Sequence, residues 1–219
     1  MLLYDNVHSP NSLVVRIFIL ERGGLELDVK SVDIIKLENR RPAYLDVNPR
    51  GEVPALDMKD GNILTEITAI CTYLDEVAKG GHSLFGSTAA QRAITNMWIR
   101  RMDIEIVQPL ISWYRNGEDS IDYYRGHRIP IPEARVLQKV QINRALNMLD
   151  DDLEAKKYLC GDRFSTADIF LYGILKQMLF IAPWVIVSGR LNVAEWFKRM
   201  DDRDCCRKGL KGFREHVSS

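Results

Sequence analysis

The sequence predicts an α/β N-terminal domain followed by an all-α helical bundle, and three observations carry that expectation. The N-terminal third reads strand, helix, strand, helix, strand, strand, helix. Beyond about Thr88 every long amphipathic stretch has helical periodicity. Between the two, Lys79-Gly80-Gly81-His82 interrupts both patterns, as inter-domain linkers do. The expected division is therefore residues 1–78, a linker over 79–88, and a helical domain over 89–219.

Leu2-Leu3-Tyr4 reads as the opening strand. Ser9-Pro10-Asn11-Ser12 carries helix-start chemistry ahead of the apolar run Leu13 to Leu20, and Gly23-Gly24 stops it. Leu27 to Val32 alternates apolar and polar residues, as a half-buried strand does. A short helix near Pro42 to Val47 leads to strands at Ala55 to Met58 and Asn62 to Leu64, joined by a tight turn at Asp60-Gly61. Glu66 to Val77 then puts Ile70, Tyr73, Leu74 and Val77 on one helical face. In the second half, helices are expected at Ala89 to Tyr114, Ile131 to Leu153, Ser165 to Ile181 and Val193 to Met200, with an irregular rim over Asn116 to Pro132. Ser165 and Asp168 have the spacing of a capping box stapled by Phe164 and Ile169, a structural feature.

Thirty basic residues against thirty acidic ones leave no net charge, so nothing draws the chain to nucleic acid or to an anionic membrane. The run Leu13 to Leu20, broken by Arg16, is too short to span a bilayer or to serve as a typical signal sequence, and a cytoplasmic location is expected. Cys71, Cys160, Cys205 and Cys206 lack disulfide-framework or metal spacing, and His8, His82, His127 and His216 lack ligand neighbours. Reduced thiols and no metal site follow. Arg16, Arg100 and Arg101, on apolar helices, are expected to anchor ion pairs between domains.

The most informative stretch is Asn48 to Leu56, followed by Glu66-Ile67-Thr68-Ala69-Ile70. Pro54 has no amide for a sheet ladder, so Val53 is left to pair outward, and a cis Val53-Pro54 bond would turn its amide and carbonyl to a ligand's backbone. Glu66 stands at a helix start, where unpaired amides attract a carboxylate. Together they suit an extended peptide-like ligand with an amino-acid head.

These segments, with Leu64-Thr65, Tyr73-Leu74 and Tyr158 to Asp168, resemble the glutathione transferase family over nearly the whole chain. Tyr4-Asp5, Ser9-Pro10-Asn11, Glu38 to Pro42, Thr68-Ala69-Ile70 and Met97 to Arg101 are similar to its atypical yeast-type class, shared by fungi and bacteria. The resemblance implies a thioredoxin-like first domain, glutathione as co-substrate with no permanently bound cofactor, a small hydrophobic electrophile, and a homodimer. It places the glutathione backbone at Val53 and Pro54, its amino group at Glu66, its γ-glutamyl carboxylate at the Ile67 amide, and its glycine carboxylate near Lys36 and Arg40. Ile67 stands where the family usually has a serine.

Two accounts of thiolate stabilisation stay open. Ser9, with Asn11 and Ser12 beside it, occupies the site of the Cys-Pro-x-Cys pair of thioredoxin-like proteins, so disulfide chemistry is excluded and a hydroxyl donor remains. Ser9 as a plain helix cap is the bland alternative. In the yeast-type class a water held by the second domain is implied instead, here around Tyr114 to Ser120, with Arg115 or Asn116 near the place of the class histidine and Ser120 supplying a hydroxyl. The electrophile pocket would draw on Met102, Ile106, Tyr114, Arg115, Asn116, Ser120 and Tyr124. Conjugation of glutathione to the electrophile is the expected reaction; a glutathione-dependent dehalogenase, isomerase or etherase, or a non-catalytic binding module, are the rivals.

Overall fold

The structure, a computed structural model, describes residues 1–187 and 189–213; His216 and the end of the segment expected over 89–219 lie outside the described residues. Helix α1 (Pro10–Arg22) starts where Ser9 accepts a hydrogen bond from the Ser12 amide at 3.3 Å and Pro10 needs no amide partner. It ends at Gly23, whose φ of 60° a side-chain-bearing residue rarely adopts. From Ser12 to Ile19 every residue of α1 is buried, because the helix is wrapped on all sides rather than along one stripe.

Strands β1 (Leu2–Asp5), β2 (Asp28–Ser31), β3 (Ala55–Asp57) and β4 (Ile63–Leu64) form one sheet in the order β2-β1-β3-β4. β1 runs parallel to β2, with Leu3 opposite Val29, and antiparallel to β3, with Leu3 opposite Leu56. The half-burial expected over Leu27 to Val32 falls on Leu27, Val29 and Val32, while Asp28, Lys30 and Ser31 are exposed, since β2 is an edge strand. Between β2 and β3 lie a 3₁₀ turn (Glu38–Arg40) and α2 (Pro42–Leu45), and α3 (Ile67–Val77) follows β4.

The second half is helical: α4 (Ala89–Met102), α5 (Gln108–Arg115), α6 (Glu118–Tyr124), α7 (Ala134–Asp152), α8 (Thr166–Met178), α9 (Leu191–Asp201) and α10 (Asp204–Lys211). The single helix expected over Ala89 to Tyr114 carries a π turn at Asp103–Val107. Pro109 explains it, because it has no amide to give the carbonyl one turn back and the regular ladder cannot run through. Helix α6 lies in the segment expected to be irregular, and α10 in a stretch to which no element was assigned. Both are short, held by tertiary packing rather than by a long periodic pattern.

Helix α8 forms the centre of the bundle and packs directly on α1 through Gly173, where a Cβ would lie 2.7 Å from Val14 Cγ2. The capping box at its start forms, and Asp168 does more than close it. Its carboxylate also accepts from the Leu159 amide at 2.8 Å and from Trp196 Nε1 at 3.0 Å, so one buried side chain joins α8, α9 and the turn between α7 and α8. Burial pushes its pKa up. No described helix is long and apolar enough to cross a membrane.

Candidate active site

A cleft of about 530 Å³ opens where the sheet end meets α4, the π turn and α5. Its sheet-side wall is the loop from Asn48 to Pro54 and the start of α3. That loop is fixed from beneath: the Tyr44 hydroxyl and Asn48 Nδ2 each donate to the Glu52 carbonyl at 2.8 Å, and Asn39 Nδ2 donates to the Gly51 carbonyl at 2.6 Å. Gly51 is required there, with φ 63° and no room for a Cβ beside the Asn39 carbonyl 2.9 Å away. The Val53-Pro54 bond is cis, and both residues line the cleft.

Glu66 lies in the same wall with φ 66° and ψ 125°, a strained backbone for a residue with a side chain, costing roughly 1–3 kcal/mol. Its side chain gives no cap to α3, so the first amides of that helix stay open beside the exposed carboxylate. A ligand amine and a ligand carboxylate could therefore be met a few ångströms apart, the first by Glu66 and the second by the amides after it.

A second cleft of about 620 Å³ adjoins the first and shares Asn11, Val53, Ile111 and Arg115 with it. Ser9 lines this second space, 5% exposed. Its hydroxyl oxygen accepts from the Ser12 amide, and among the described residues no acceptor takes its proton, which a ligand in the cleft could receive. Across from it stand Tyr114, Tyr123 and Tyr124 of α5 and α6, with Met178 and Ile181 at the end of α8. Burial and the neighbouring Tyr124 push the Tyr123 pKa up, so it remains a neutral phenol.

Residues 8–77 match the glutathione S-transferase N-terminal domain and residues 96–199 its C-terminal domain. The chain belongs to the glutathione S-transferase family. It is 28% identical to glutathione S-transferase 2 of Saccharomyces cerevisiae over 96% of this chain and 90% of that protein. It is 27% identical to LigF of a Sphingobium species, over 94% of this chain and 91% of that one. The crystal structure of Gtt2 from Saccharomyces cerevisiae superposes with a TM-score of 0.86 at 25% identity, covering 95% of this chain and all of that one. The yeast-type resemblance seen in the sequence agrees with these relatives.

The glutathione transferase fold brings Ser9, Asn11, Arg40, Val53, Pro54, Glu66, Ile67, Tyr114, Arg115 and Tyr124 onto the two clefts. Six other expected site residues lie elsewhere. Ser12 is fully buried and accepts from the Asn6 amide, so it holds the loop before α1. Lys36 is exposed and pairs with Asp33 at 3.0 Å. Met102 and Ile106 are core residues, and the residues that these helices present to the first cleft are Ile99, Asp103, Val107 and Ile111 instead. Asn116 turns to Gln138 on α7 and to the Ile131 amide. Ser120 is buried, its hydroxyl donating to the Tyr114 and Gly117 carbonyls. Of the second-domain residues offered for the thiolate, Arg115 therefore reaches both clefts while Asn116 and Ser120 do not.

Sequence reasoning missed Glu52, Arg50, Arg128 and Ile111, which line both spaces. Glu52 stood inside the motif and could have been found there. Arg128 sits in a polar loop with no linear signature, and it crosses to Glu52 at 2.8 Å. Arg16 anchors the fold, but its ion pair is not between domains: it pairs with Asp5 at 2.9 Å in the N-terminal half, and what reaches the helical half is its hydrogen bond to the Gly209 carbonyl of α10 at 2.8 Å. Arg100 pairs within its own segment, with Asp103.

Proposed function

We propose that this chain binds glutathione along the first cleft, holds its sulfur at the junction of the two, and transfers it to an electrophile in the second. The observation that carries this reading is the position of Val53, which lines both clefts between the Glu66 end and the Ser9 end. An extended tripeptide paired with Val53 would reach Glu66 with its γ-glutamyl head and present its thiol to Ser9 and Arg115. A thiol of pKa near 8.5 is only about 3% ionised at neutral pH. Lowering that value by two units requires about 2.7 kcal/mol of differential stabilisation, the size of one charge-assisted hydrogen bond plus a helix terminus. The thiolate then attacks the electrophilic carbon, the carbon–sulfur bond forms, and the leaving group departs with its electron pair.

The reading extends to a first domain over 1–78, a linker over 79–88 and a second domain beyond, acting as a cytoplasmic homodimer in detoxification. Ile94, Met97 and Ile104, exposed along α4 and the π turn, would suit a second copy. Isothermal titration with glutathione, followed by turnover of 1-chloro-2,4-dinitrobenzene, tests the proposal. Micromolar to millimolar binding with thioether formation supports it, and no glutathione binding overturns it. Binding without turnover of aryl halides or ethers would favour the non-catalytic module. Thiolate displacement at an ether carbon is the second reading, favoured by the similarity to LigF, a β-etherase.

A further inference from the structure

Three guanidinium groups converge on one tyrosine ring in the second cleft. Those of Arg115, Arg40 and Arg128 lie 5.6, 5.8 and 6.0 Å from the centroid of Tyr124. They arrive from three separate segments: the end of α5, the 3₁₀ turn after β2, and the loop after α6. Glu52 is their one carboxylate neighbour among the described residues, 2.8 Å from Arg128 and 3.7 Å from Arg115. Arg40 stacks on Tyr123 at 4.5 Å and has no carboxylate at ion-pair distance among the described residues.

Three cations against one anion leave two positive charges at this ring, in a chain whose total charge is zero. Like charges gathered in a cleft partly shielded from water repel one another more than they would in bulk solvent. Among the described residues the buried Arg115 Nε has no hydrogen-bond partner. Around the cations the surface is apolar and aromatic: Ile111, Met178 and Ile181 complete the wall, and Tyr124 meets Tyr114 edge to face at 6.4 Å. Glutathione with its thiol protonated or alkylated does not account for the charge. Its single glycine carboxylate, seated on Arg40, then leaves Arg115 and Arg128 with one positive charge more than Glu52 neutralises, and only the thiolate form would cancel it.

We propose that the electrophile is an organic acid with an aromatic or apolar body, its carboxylate seated at Arg115 and Arg128 and its body against Tyr124 and Met178. This rests on the transfer reaction proposed above, and it narrows the co-substrate from any hydrophobic electrophile to an anionic one. Guanidinium suits a carboxylate through paired donors, and the ring beneath suits an aryl group.

The test uses 4-nitrobenzoate and 4-nitrobenzamide, equal in shape and different in charge, titrated calorimetrically into the whole protein with and without saturating S-methylglutathione. The expected result in the loaded protein is at least tenfold tighter binding of the benzoate. That preference should fall towards unity in Arg128→Gln and shrink as salt rises from 0.05 to 0.5 M, on the order of the Debye screening expected. Equal binding of the two probes overturns the proposal. So does a benzoate preference that vanishes on loading, which would assign the cations to glutathione's own glycine carboxylate. Failure of S-methylglutathione to bind at all would instead sink the transfer reading, while the probe pair still reads the arginine cluster in the unloaded protein.

Discussion

The two clefts meet along Val53 but are built from different materials. The first is shaped by backbone: a loop held by buried side-chain donors, a cis peptide bond and an open helix start. Its charged lining is nearly balanced, with Glu52, Glu66 and Asp103 facing Arg50, Arg100, Arg115 and Arg128, which fits a ligand carrying both an amine and carboxylates. The second is shaped by side chains from dispersed helices, and its lining has four arginines to one carboxylate. Where backbone forms the wall, the ligand is dictated by the fold; where side chains form it, specificity can change without disturbing the scaffold.

If that contrast holds, the largest effects come from the buried scaffold beneath the clefts rather than from the side chains of their walls. Arg16 is 1% exposed in its side chain and binds Asp5 while also donating to the Asn6 and Val7 carbonyls of the loop that leads to Ser9. Asp5→Ala leaves that cation buried without its partner, and a loss of about 3–5 kcal/mol in urea unfolding is expected. Arg128→Gln, in the wall of the second cleft and 42% exposed, should stay within about 1 kcal/mol of the parent. Similar losses for both variants would break the comparison.

The junction comes next in size. Ser9 and Arg115 both line the second cleft and are the two groups that the proposed glutathione path brings to the sulfur. Ser9→Ala is expected to raise the pKa of bound glutathione by one to two units, equivalent to about 1.4–2.7 kcal/mol, read from thiolate absorbance against pH. Arg115→Gln should produce the smaller shift if the hydroxyl is the donor. The reverse ranking would move thiol activation to the second domain. Ser9→Ala also removes the cap on α1 and should lower stability by about 1 kcal/mol, so the titration is read on folded protein.

How far the sequence revealed each cleft follows the same division. Val53, Pro54, Glu66 and Ile67 were legible because proline, a carboxylate at a helix start and the residues between them have fixed backbone consequences over a short span. Ser9 was legible for the same reason. Met102 and Ile106 were misplaced because an apolar residue on a long helix does not itself reveal whether it faces the core or a cleft, and both face the core. Lys36 was assigned from the family resemblance and its charge, whereas its loop partner Asp33 already holds it. The cluster at Tyr124 had no linear trace: Arg40, Arg115 and Arg128 are far apart in the chain and become neighbours only when α6 folds over the cleft, and α6 itself was not foreseen.

Within the first cleft, Glu66→Gln should weaken glutathione binding about tenfold, or 1.4 kcal/mol. This is the low end for a charge-assisted contact, because Glu66 is exposed. Lys36→Ala should change affinity less than twofold, since Lys36 is 75% exposed and lines neither cleft. Calorimetry on the pair separates a site built at the helix start from one built on the loop. Equal losses would place glutathione differently from the path along Val53.

The smallest expected effect tests the boundary itself. Glu52 belongs to both clefts, but its two parts do different work: the carbonyl accepts from Tyr44 and Asn48, which shapes the first cleft, while the carboxylate is shared by Arg115 and Arg128 at the second. Glu52→Gln leaves the carbonyl bonds in place and removes the counter-ion. Stability should change by less than about 1 kcal/mol, because the carboxylate is 43% exposed and its ion pairs are solvent-screened. Glutathione affinity should move little, whereas 4-nitrobenzoate should bind severalfold more tightly, the two arginines having lost the anion they share. If instead glutathione binding falls and the benzoate is unaffected, the carboxylate is part of the first cleft's recognition, and the separation of roles between its backbone and its side chain is wrong.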